Sequence, residues 1–136
     1  MAMIETVNLT KRYGDLVALN NLNLTIQEGD CFGIIGPNGA GKTTTIKILA
    51  TLLKPTSGQA MVGGLTVGYQ NRQIRPIVGY VPDFMGAYED MVVTEYLEFF
   101  AAAYNIHGQQ RKKVVGDVLE LTDLTYKATA EVNSLS

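Results

Sequence analysis

The sequence predicts an α/β fold in which a phosphate-binding loop joins a buried strand to a helix, with an antiparallel β subdomain before that strand. Three observations predict it. Residues 36–43 read GPNGAGKT, which has the spacing GxxxxGK[ST] of a phosphate-binding loop. The apolar run 31–35 precedes this loop, and apolar residues at helical spacing follow it over 44–53. Residues 4–26 carry stretches of alternating apolar and polar side chains.

The N-terminal segment predicts antiparallel strands. Residues 4–10 alternate with the period of a half-buried strand, and residues 17–19 and 22–26 do so again. Short sequences rich in Gly and Asp, at 13–15 and 28–30, provide the turns. We therefore expect a β-sheet before the buried strand.

The loop itself assigns a different role to each residue type. Gly36, Gly39 and Gly41 can adopt backbone conformations closed to other residues and let phosphate oxygens approach the main chain. The ammonium group of Lys42 would reach the β- and γ-phosphates, and the hydroxyl of Thr43 would hold Mg²⁺. Because a helix follows at once, the loop N–H groups would converge beside a helix N-terminus, which also favours anions. A triphosphate fits this arrangement.

After the first helix, the pattern predicts two more strands and a loop. Residues 59–62 are a short strand, and 67–76 are a polar passage, helical or irregular. The apolar run 77–81 is a second buried strand that Pro82 ends. Aromatic and acidic residues mix in the loop 83–90.

Two helices are predicted in the last part of the chain. The first covers 95–104 with Thr94 as its N-cap and acidic residues in its first turn. The second covers 109–121. We interpret the aromatic residues of the first helix as core and packing residues rather than a ligand site. They are Tyr96, Phe99, Phe100 and Tyr104.

Composition excludes several function classes. Eleven Lys and Arg residues against thirteen Asp and Glu residues give a net charge of −2, so nucleic acid is not an expected partner. No apolar run approaches the roughly 20 residues of a membrane-spanning helix, and no signal peptide is evident, so we expect a soluble cytosolic chain. The one cysteine, Cys31, excludes an internal disulfide and is interpreted as a packing residue.

Several landmarks together resemble the nucleotide-binding domains of ABC transporters over the whole chain. Tyr13 lies where that family places the aromatic residue that stacks on adenine, a contact worth ~1 kcal/mol. Residues 56–58, Thr-Ser-Gly, and 78–82, Val-Gly-Tyr-Val-Pro, look like the family's landmarks between the phosphate-binding loop and its Q-loop. The resemblance implies a P-loop NTPase core, ATP and Mg²⁺ as ligands, and Lys42 as a catalytic residue. It implies as nucleotide-binding residues Tyr13, Ala18, Gly36, Asn38, Gly39, Ala40, Gly41, Lys42, Thr43 and Thr44.

The sequence departs from the family pattern in two places. Asp83 stands where the family has its Q-loop glutamine. A carboxylate can still take a place around Mg²⁺, so Asp83 joins Thr43 as a predicted metal-side residue. Residues 132–136 look like the approach to the family's LSGGQ signature, ending after its first two residues. The Walker B strand, catalytic glutamate and switch histidine would follow, so we do not expect this chain to hydrolyse ATP alone.

The resemblance also implies the domain organisation. Residues 1–136 would form the N-terminal portion of one nucleotide-binding domain. Its β subdomain would cover about 1–30, the loop and core would start at 31, and a Q-loop-like segment with the start of a helical subdomain would cover 82–136.

The implied partners are a transmembrane permease subunit and a second ATP-binding subunit in a head-to-tail dimer. The protein would then lie at the cytoplasmic face of the membrane, attached through its permease. Residues 97–101, with the preceding loop, look most like bacterial or archaeal exporter subunits. Two alternatives remain open at this stage. A non-catalytic nucleotide-binding module is one; a GTPase-like switch is the other, because residues 83–86 satisfy DxxG, although no NKxD segment is present.

Overall fold

The computed structural model describes residues 1–84 and 86–135. Met85, part of the predicted acidic loop and of the DxxG match, and Ser136, the last residue of the signature-like run, lie outside the described residues. The chain forms two compact units, Met1–Val81 and Pro82–Ser136. Each is described by itself.

The first unit contains one antiparallel sheet. Its strands are β1 (Ala2–Tyr13), β2 (Leu16–Gln27), β3 (Ser57–Val62) and β4 (Leu65–Thr66). They lie in the order β2-β1-β3-β4, so the long β1 is central and pairs with both β2 and β3. The predicted antiparallel N-terminal region is therefore confirmed, and it is extended by β3 and β4.

The core of the first unit lies between this sheet and the helices α1 (Lys42–Leu49) and α2 (Asn71–Ile74), the second of which continues into a 3₁₀ turn. The helical periodicity after the loop predicts α1, although the helix ends at Leu49 rather than at residue 53. Apolar residues from both helices meet apolar residues of three strands. The buried members of this core are Leu9, Leu19, Ile48, Ala60, Val62, Val67 and Ile74.

The two predicted buried strands, 31–35 and 77–81, are not strands. Their side chains are largely exposed: the exposed fraction is 97% for Ile35 and 85% for Val81. Cys31 is exposed as well, so its interpretation as a packing residue is wrong. A strand exists only where a neighbouring strand accepts its hydrogen bonds, and none of the described strands pairs with either run.

The second unit is helical. It contains α3 (Val93–Ala103) and α4 (Gly108–Leu121), followed by two 3₁₀ turns. Val93 of α3 packs with Val115 and Leu119 of α4 in a small buried cluster. Both helices agree with the periodicity of the sequence. Among the described residues, no helix is long and apolar enough to cross a membrane.

The first turn of α3 differs from the prediction. Val92, not Thr94, is its N-cap residue, and the Glu95 carboxylate accepts a hydrogen bond from the Val92 N–H at 3.1 Å. Thr94 lies inside the helix, where its hydroxyl donates to the carbonyl of Ala128 at 2.8 Å. The threonine therefore connects α3 to the segment after α4 instead of capping its own helix.

The aromatic residues of α3 do not form a core. Phe99 is 52% exposed and Tyr104 69% exposed, so the core interpretation is wrong for them. Three of the rings contact one another: the Phe99 and Phe100 ring centroids lie 5.6 Å apart, edge to face, and those of Tyr96 and Phe100 lie 4.9 Å apart. Helical spacing places these residues together but does not say whether another element covers them.

Candidate nucleotide-binding site

The loop before α1 makes a tight turn at Asn38 and Gly39. The N–H of Ala40 donates to the carbonyl of Pro37 at 3.1 Å, which closes a β-turn with Asn38 and Gly39 at its centre. Gly39 has a φ of +85°, the positive value that the third residue of a type II turn requires. The Asn-Gly pair in the sequence therefore matches the turn that the structure contains.

Gly41 fixes the point where the loop meets the sheet. It is the N-cap of α1, with a φ of +88°. A Cβ atom at this position would lie 2.7 Å from the carbonyl oxygen of Ala18 and 3.1 Å from Leu19 Cδ1. Only glycine allows this approach, and the approach brings Ala18 of β2 directly against the loop.

The N-terminus of α1 presents backbone donors at the end of the loop. The carbonyl of Gly41 accepts hydrogen bonds from the Thr45 N–H at 2.9 Å and from the Thr45 hydroxyl at 2.8 Å. Thr45 is thus the first residue whose N–H bonds within the helix. The N–H groups of Lys42, Thr43 and Thr44 precede it and have no intrahelical acceptor. Together with the helix dipole, they favour an anion at this end.

Lys42 bonds to the loop that precedes it. Its ammonium group donates to the carbonyl oxygens of Gly36 and Pro37, the latter at 2.7 Å. The positive charge is therefore held on the loop beside the free N–H groups. The Thr43 side chain is exposed on the first turn of the helix, so its hydroxyl is open to solvent.

The residues fit a triphosphate with Mg²⁺. The loop offers N–H donors and an ammonium group for phosphate oxygens. Mg²⁺ in nucleotide sites is usually held by substrate phosphates, water and one or two protein oxygens. The Thr43 hydroxyl is such an oxygen. Among the described residues, no cluster of three or more acidic, His or Cys side chains offers an alternative.

Tyr13 ends β1 next to the turn into β2. It pairs with Leu16, and the residue is 51% exposed. The Lys11 ammonium lies 4.9 Å from the ring centroid, a cation–π contact, and also donates to the carbonyl of Lys54 at 2.9 Å. The ring is therefore contacted by Lys11 while about half of the residue stays exposed, as a stacking residue requires.

Asp83 lies in the second unit and is exposed. The phosphate-binding loop lies in the first unit. Ala18 and the predicted loop residues lie together in the first unit, where Ala18 meets Gly41. The metal-side role of Asp83 stays a prediction.

Two residues of the site were missed at the sequence level. Pro37 accepts the Lys42 hydrogen bond through its carbonyl, and Thr45 is 2% exposed and holds the Gly41 carbonyl. The role of Pro37 could not be found in the sequence, because any residue has a main-chain carbonyl. The role of Thr45 had a sequence signal in the three consecutive threonines after Lys42, because a buried threonine on a helix commonly bonds the carbonyl four residues earlier.

Comparison with known proteins decides the family. Residues 19–136 match the sequence profile of the ABC transporter family. The chain belongs to that family. The Nod factor export ATP-binding protein I of Burkholderia orbicola (strain AU 1054) is 39% identical over 136 residues, which are 100% of this chain and 45% of that protein. The probable multidrug ABC transporter ATP-binding protein YbhF of Escherichia coli (strain K12) is 35% identical over 98% of this chain and 23% of its own length.

Solved ABC structures have the same fold. An ATP-binding cassette named MJ0796, solved as a dimer in a post-hydrolysis state with ADP and Pi, superposes with a TM-score of 0.79 at 27% identity. That match covers 98% of this chain and 63% of the cassette. An ATP-binding subunit of an ABC transporter gives a TM-score of 0.78 at 25% identity, over 98% of this chain and 56% of that subunit. This ABC family chain thus spans less than half the length of the curated relatives above.

Proposed function

We propose that this chain binds MgATP as the N-terminal part of an ABC transporter ATP-binding subunit. One observation carries the proposal. The loop 36–43 holds Gly41 against Ala18, leaves the N–H groups of the first turn of α1 without intrahelical acceptors, and accepts hydrogen bonds from the Lys42 ammonium through its own carbonyls. Family membership and the names of the relatives support ATP as the anion.

Each loop residue has a role in this proposal. The N–H groups around Gly39, Gly41 and Lys42 hold the phosphates, and the Lys42 ammonium exchanges its loop carbonyls for phosphate oxygens. The Thr43 hydroxyl holds Mg²⁺, which supplies charge neutralisation on the phosphates. The metal-side role of Asp83, in place of a glutamine, stays a prediction from the family resemblance. The flanking residues Asn38, Ala40 and Thr44 shape the loop and the first helical turn.

Tyr13 and Ala18 supply the other end of the site. The Tyr13 ring stacks on the adenine, and Ala18 of β2 meets Gly41 of the loop through its carbonyl oxygen. An aromatic ring can stack on any base, so this contact adds affinity more than it selects adenine. Selection between ATP and GTP is therefore a quantity to measure rather than to assume.

At the level of the whole protein, we propose an ATPase subunit that couples hydrolysis to transport. A permease in the membrane would be its partner and would hold it at the cytoplasmic face. A second ATP-binding subunit would complete the site, as the dimeric form of the MJ0796 cassette suggests. The relatives named for Nod factor export and multidrug transport favour an exporter.

The test is a titration of the chain with MgATP and MgGTP. Lys42→Ala removes charge-assisted hydrogen bonds worth about 1.5–3 kcal/mol each, so binding should weaken roughly 10- to 100-fold. Tyr13→Ala should weaken it by about 5-fold, from ~1 kcal/mol of lost stacking. Lys47→Ala is the matched control, because it removes an exposed lysine of the same helix outside the loop. Equal losses for Lys42→Ala and Lys47→Ala, or a GTP preference untouched by Tyr13→Ala, would contradict the proposal.

A further inference from the structure

The Asn38-Gly39 pair stands apart from the other asparagines of the chain. Of eight asparagines, only Asn38 is followed by glycine. Both residues of the pair are exposed, and they occupy the centre of the β-turn that Pro37 and Ala40 close. The pair therefore lies at the tip of the phosphate-binding loop, open to water.

The atoms that would react with each other are free. Among the described residues, nothing accepts a hydrogen bond from the Gly39 N–H, and nothing bonds the Asn38 carboxamide. A Cβ built on Gly39 would meet nothing within 4 Å, so there is room around this nitrogen. Strand asparagines are different: the side chain of Asn23 bonds both the N–H and the carboxamide of Asn8.

We propose that Asn38 is a site of spontaneous deamidation. The Gly39 nitrogen loses its proton to solvent and attacks Cγ of Asn38, forming a five-membered cyclic tetrahedral intermediate. The Cγ–Nδ2 bond then breaks, Nδ2 takes a proton from solvent and leaves as ammonia, and the succinimide remains. Water opens the ring at either carbonyl, which leaves aspartate or isoaspartate at position 38. The net change is one asparagine plus one water to one aspartyl residue plus one ammonia, with no oxidant or reductant.

Glycine at position 39 makes this reaction possible at an appreciable rate. The attacking nitrogen needs backbone freedom to reach Cγ, and a Cβ on the following residue would crowd the ring. Asn133 provides a comparison inside the same chain. It is exposed but is followed by Ser134, whose Cβ adjoins the attacking nitrogen.

Deamidation changes the charge of the site. The new carboxylate lies on the loop whose N–H groups and Lys42 ammonium attract anions, and isoaspartate also lengthens the main chain there. This consequence rests on the proposed function, in which the Gly39 N–H bonds a phosphate. A phosphate of the bound nucleotide would then accept a hydrogen bond from the Gly39 N–H, the attacking group, and so protect Asn38.

The first experiment follows the whole chain without nucleotide at mildly alkaline pH, with peptide mass spectrometry and isoaspartate detection. Asn38 should convert first, well ahead of Asn133, at a rate within about tenfold of a synthetic peptide covering 36–41, since within the part of the chain that the structure describes neither the Gly39 N–H nor the Asn38 carboxamide makes a hydrogen bond that would suppress the reaction. An Asn38 that keeps its amide after the peptide has converted would overturn the proposal. Asn38→Gln should abolish conversion at this position, because its attack would require a six-membered ring.

The second experiment repeats the incubation with MgATP at 100 times its measured Kd. Only the free fraction then reacts, so the rate should fall about a hundredfold. An unchanged rate despite saturable binding would overturn the protection by nucleotide. If the chain binds no nucleotide but Asn38 still converts as the peptide does, the deamidation site is supported and the proposed function fails.

A matched pair of variants separates charge from shape. Asn38→Asp should bind MgATP about tenfold or more weakly than Asn38→Gln, because it places a negative charge beside the triphosphate. Equal affinities of the two variants would overturn the inference that deamidation impairs the loop.

Discussion

Gly41 and Gly39 allow a direct test of the contact between the phosphate-binding loop and the sheet. Their φ angles are nearly equal, +88° and +85°. Only at Gly41 would a Cβ meet other atoms, 2.7 Å from the Ala18 carbonyl oxygen; at Gly39 it would meet nothing within 4 Å. Substitution by alanine therefore imposes the same backbone penalty at both positions and adds a steric overlap at one of them.

The two alanine variants should differ measurably in stability. A non-glycine residue in the left-handed region costs about 1–2 kcal/mol, so Gly39→Ala should lower the free energy of unfolding by that amount. Forcing an extra methyl group against backbone costs about 1–3 kcal/mol more, so Gly41→Ala should lose about 2–5 kcal/mol in total. That is a large fraction of the roughly 5–15 kcal/mol of a typical domain.

Urea unfolding followed by far-ultraviolet circular dichroism measures this difference. The slope of the unfolding free energy against urea concentration should be the same for both variants and the parent chain, so that differences in the midpoint report stability alone. Equal destabilisation of Gly39→Ala and Gly41→Ala would refute the reasoning. It would mean that the loop separates from Ala18 without loss, and that the contact does not position α1.

Three further predictions use the same measurement. Ile48→Ala, at a position with 0% exposure, should cost about 2–5 kcal/mol of unfolding free energy, because it opens a cavity between α1 and the sheet. Thr45→Val should cost about 1 kcal/mol, because it removes the hydroxyl that bonds the Gly41 carbonyl at 2.8 Å without changing side-chain volume much. Lys113→Ala should leave the midpoint unchanged at neutral pH, because its ion pair with Asp117 is exposed. The hydrogen bond that Lys113 donates to the Asp117 carboxylate raises the pKa of Lys113 above its ordinary 10.5, so any small stabilisation is present below pH 10.5 and is lost as pH rises through the raised pKa.

Local periodicity predicted the elements that depend on local sequence. The alternation over residues 4–26 indicated β1 and β2, and the helical spacing indicated α1, α3 and α4. In each case one apolar face packs inside its own unit, as Ile48 does in the first unit and Leu119 in the second. The pattern and the packing then agree, and the prediction holds.

The runs 31–35 and 77–81 show where such reasoning fails. Both are apolar and of strand length, yet neither is a strand. An apolar run indicates that a segment tends to be buried, but a strand also requires a neighbour at hydrogen-bonding distance, which periodicity does not identify. The aromatic residues of α3, Phe99 among them, were misjudged for the same reason.

In the candidate site, too, the local features were predicted and those that depend on the folded geometry were not. The spacing of 36–43 indicated the loop, because it is local; the turn requires Gly39, and the approach to Ala18 requires Gly41. The bonds of Lys42 to the loop carbonyls, and of Thr45 to Gly41, depend on the folded geometry and could not be predicted from spacing. The roles of the individual residues toward nucleotide remain predictions for the titrations to test.

The contact of Gly41 with Ala18 also sets a length within the molecule. Tyr13 pairs with Leu16 across the first turn, and Ala18 follows two residues further along the same strand, where its carbonyl meets the loop. The Tyr13 ring and the phosphate-binding loop are therefore separated by a few residues of main chain. A single residue inserted between Leu16 and Ala18 would change this separation and turn the following side chains to the opposite face of the sheet. Substitutions in the core would change the stability of the unit without changing this separation, so nucleotide affinity and stability should respond to different parts of this strand.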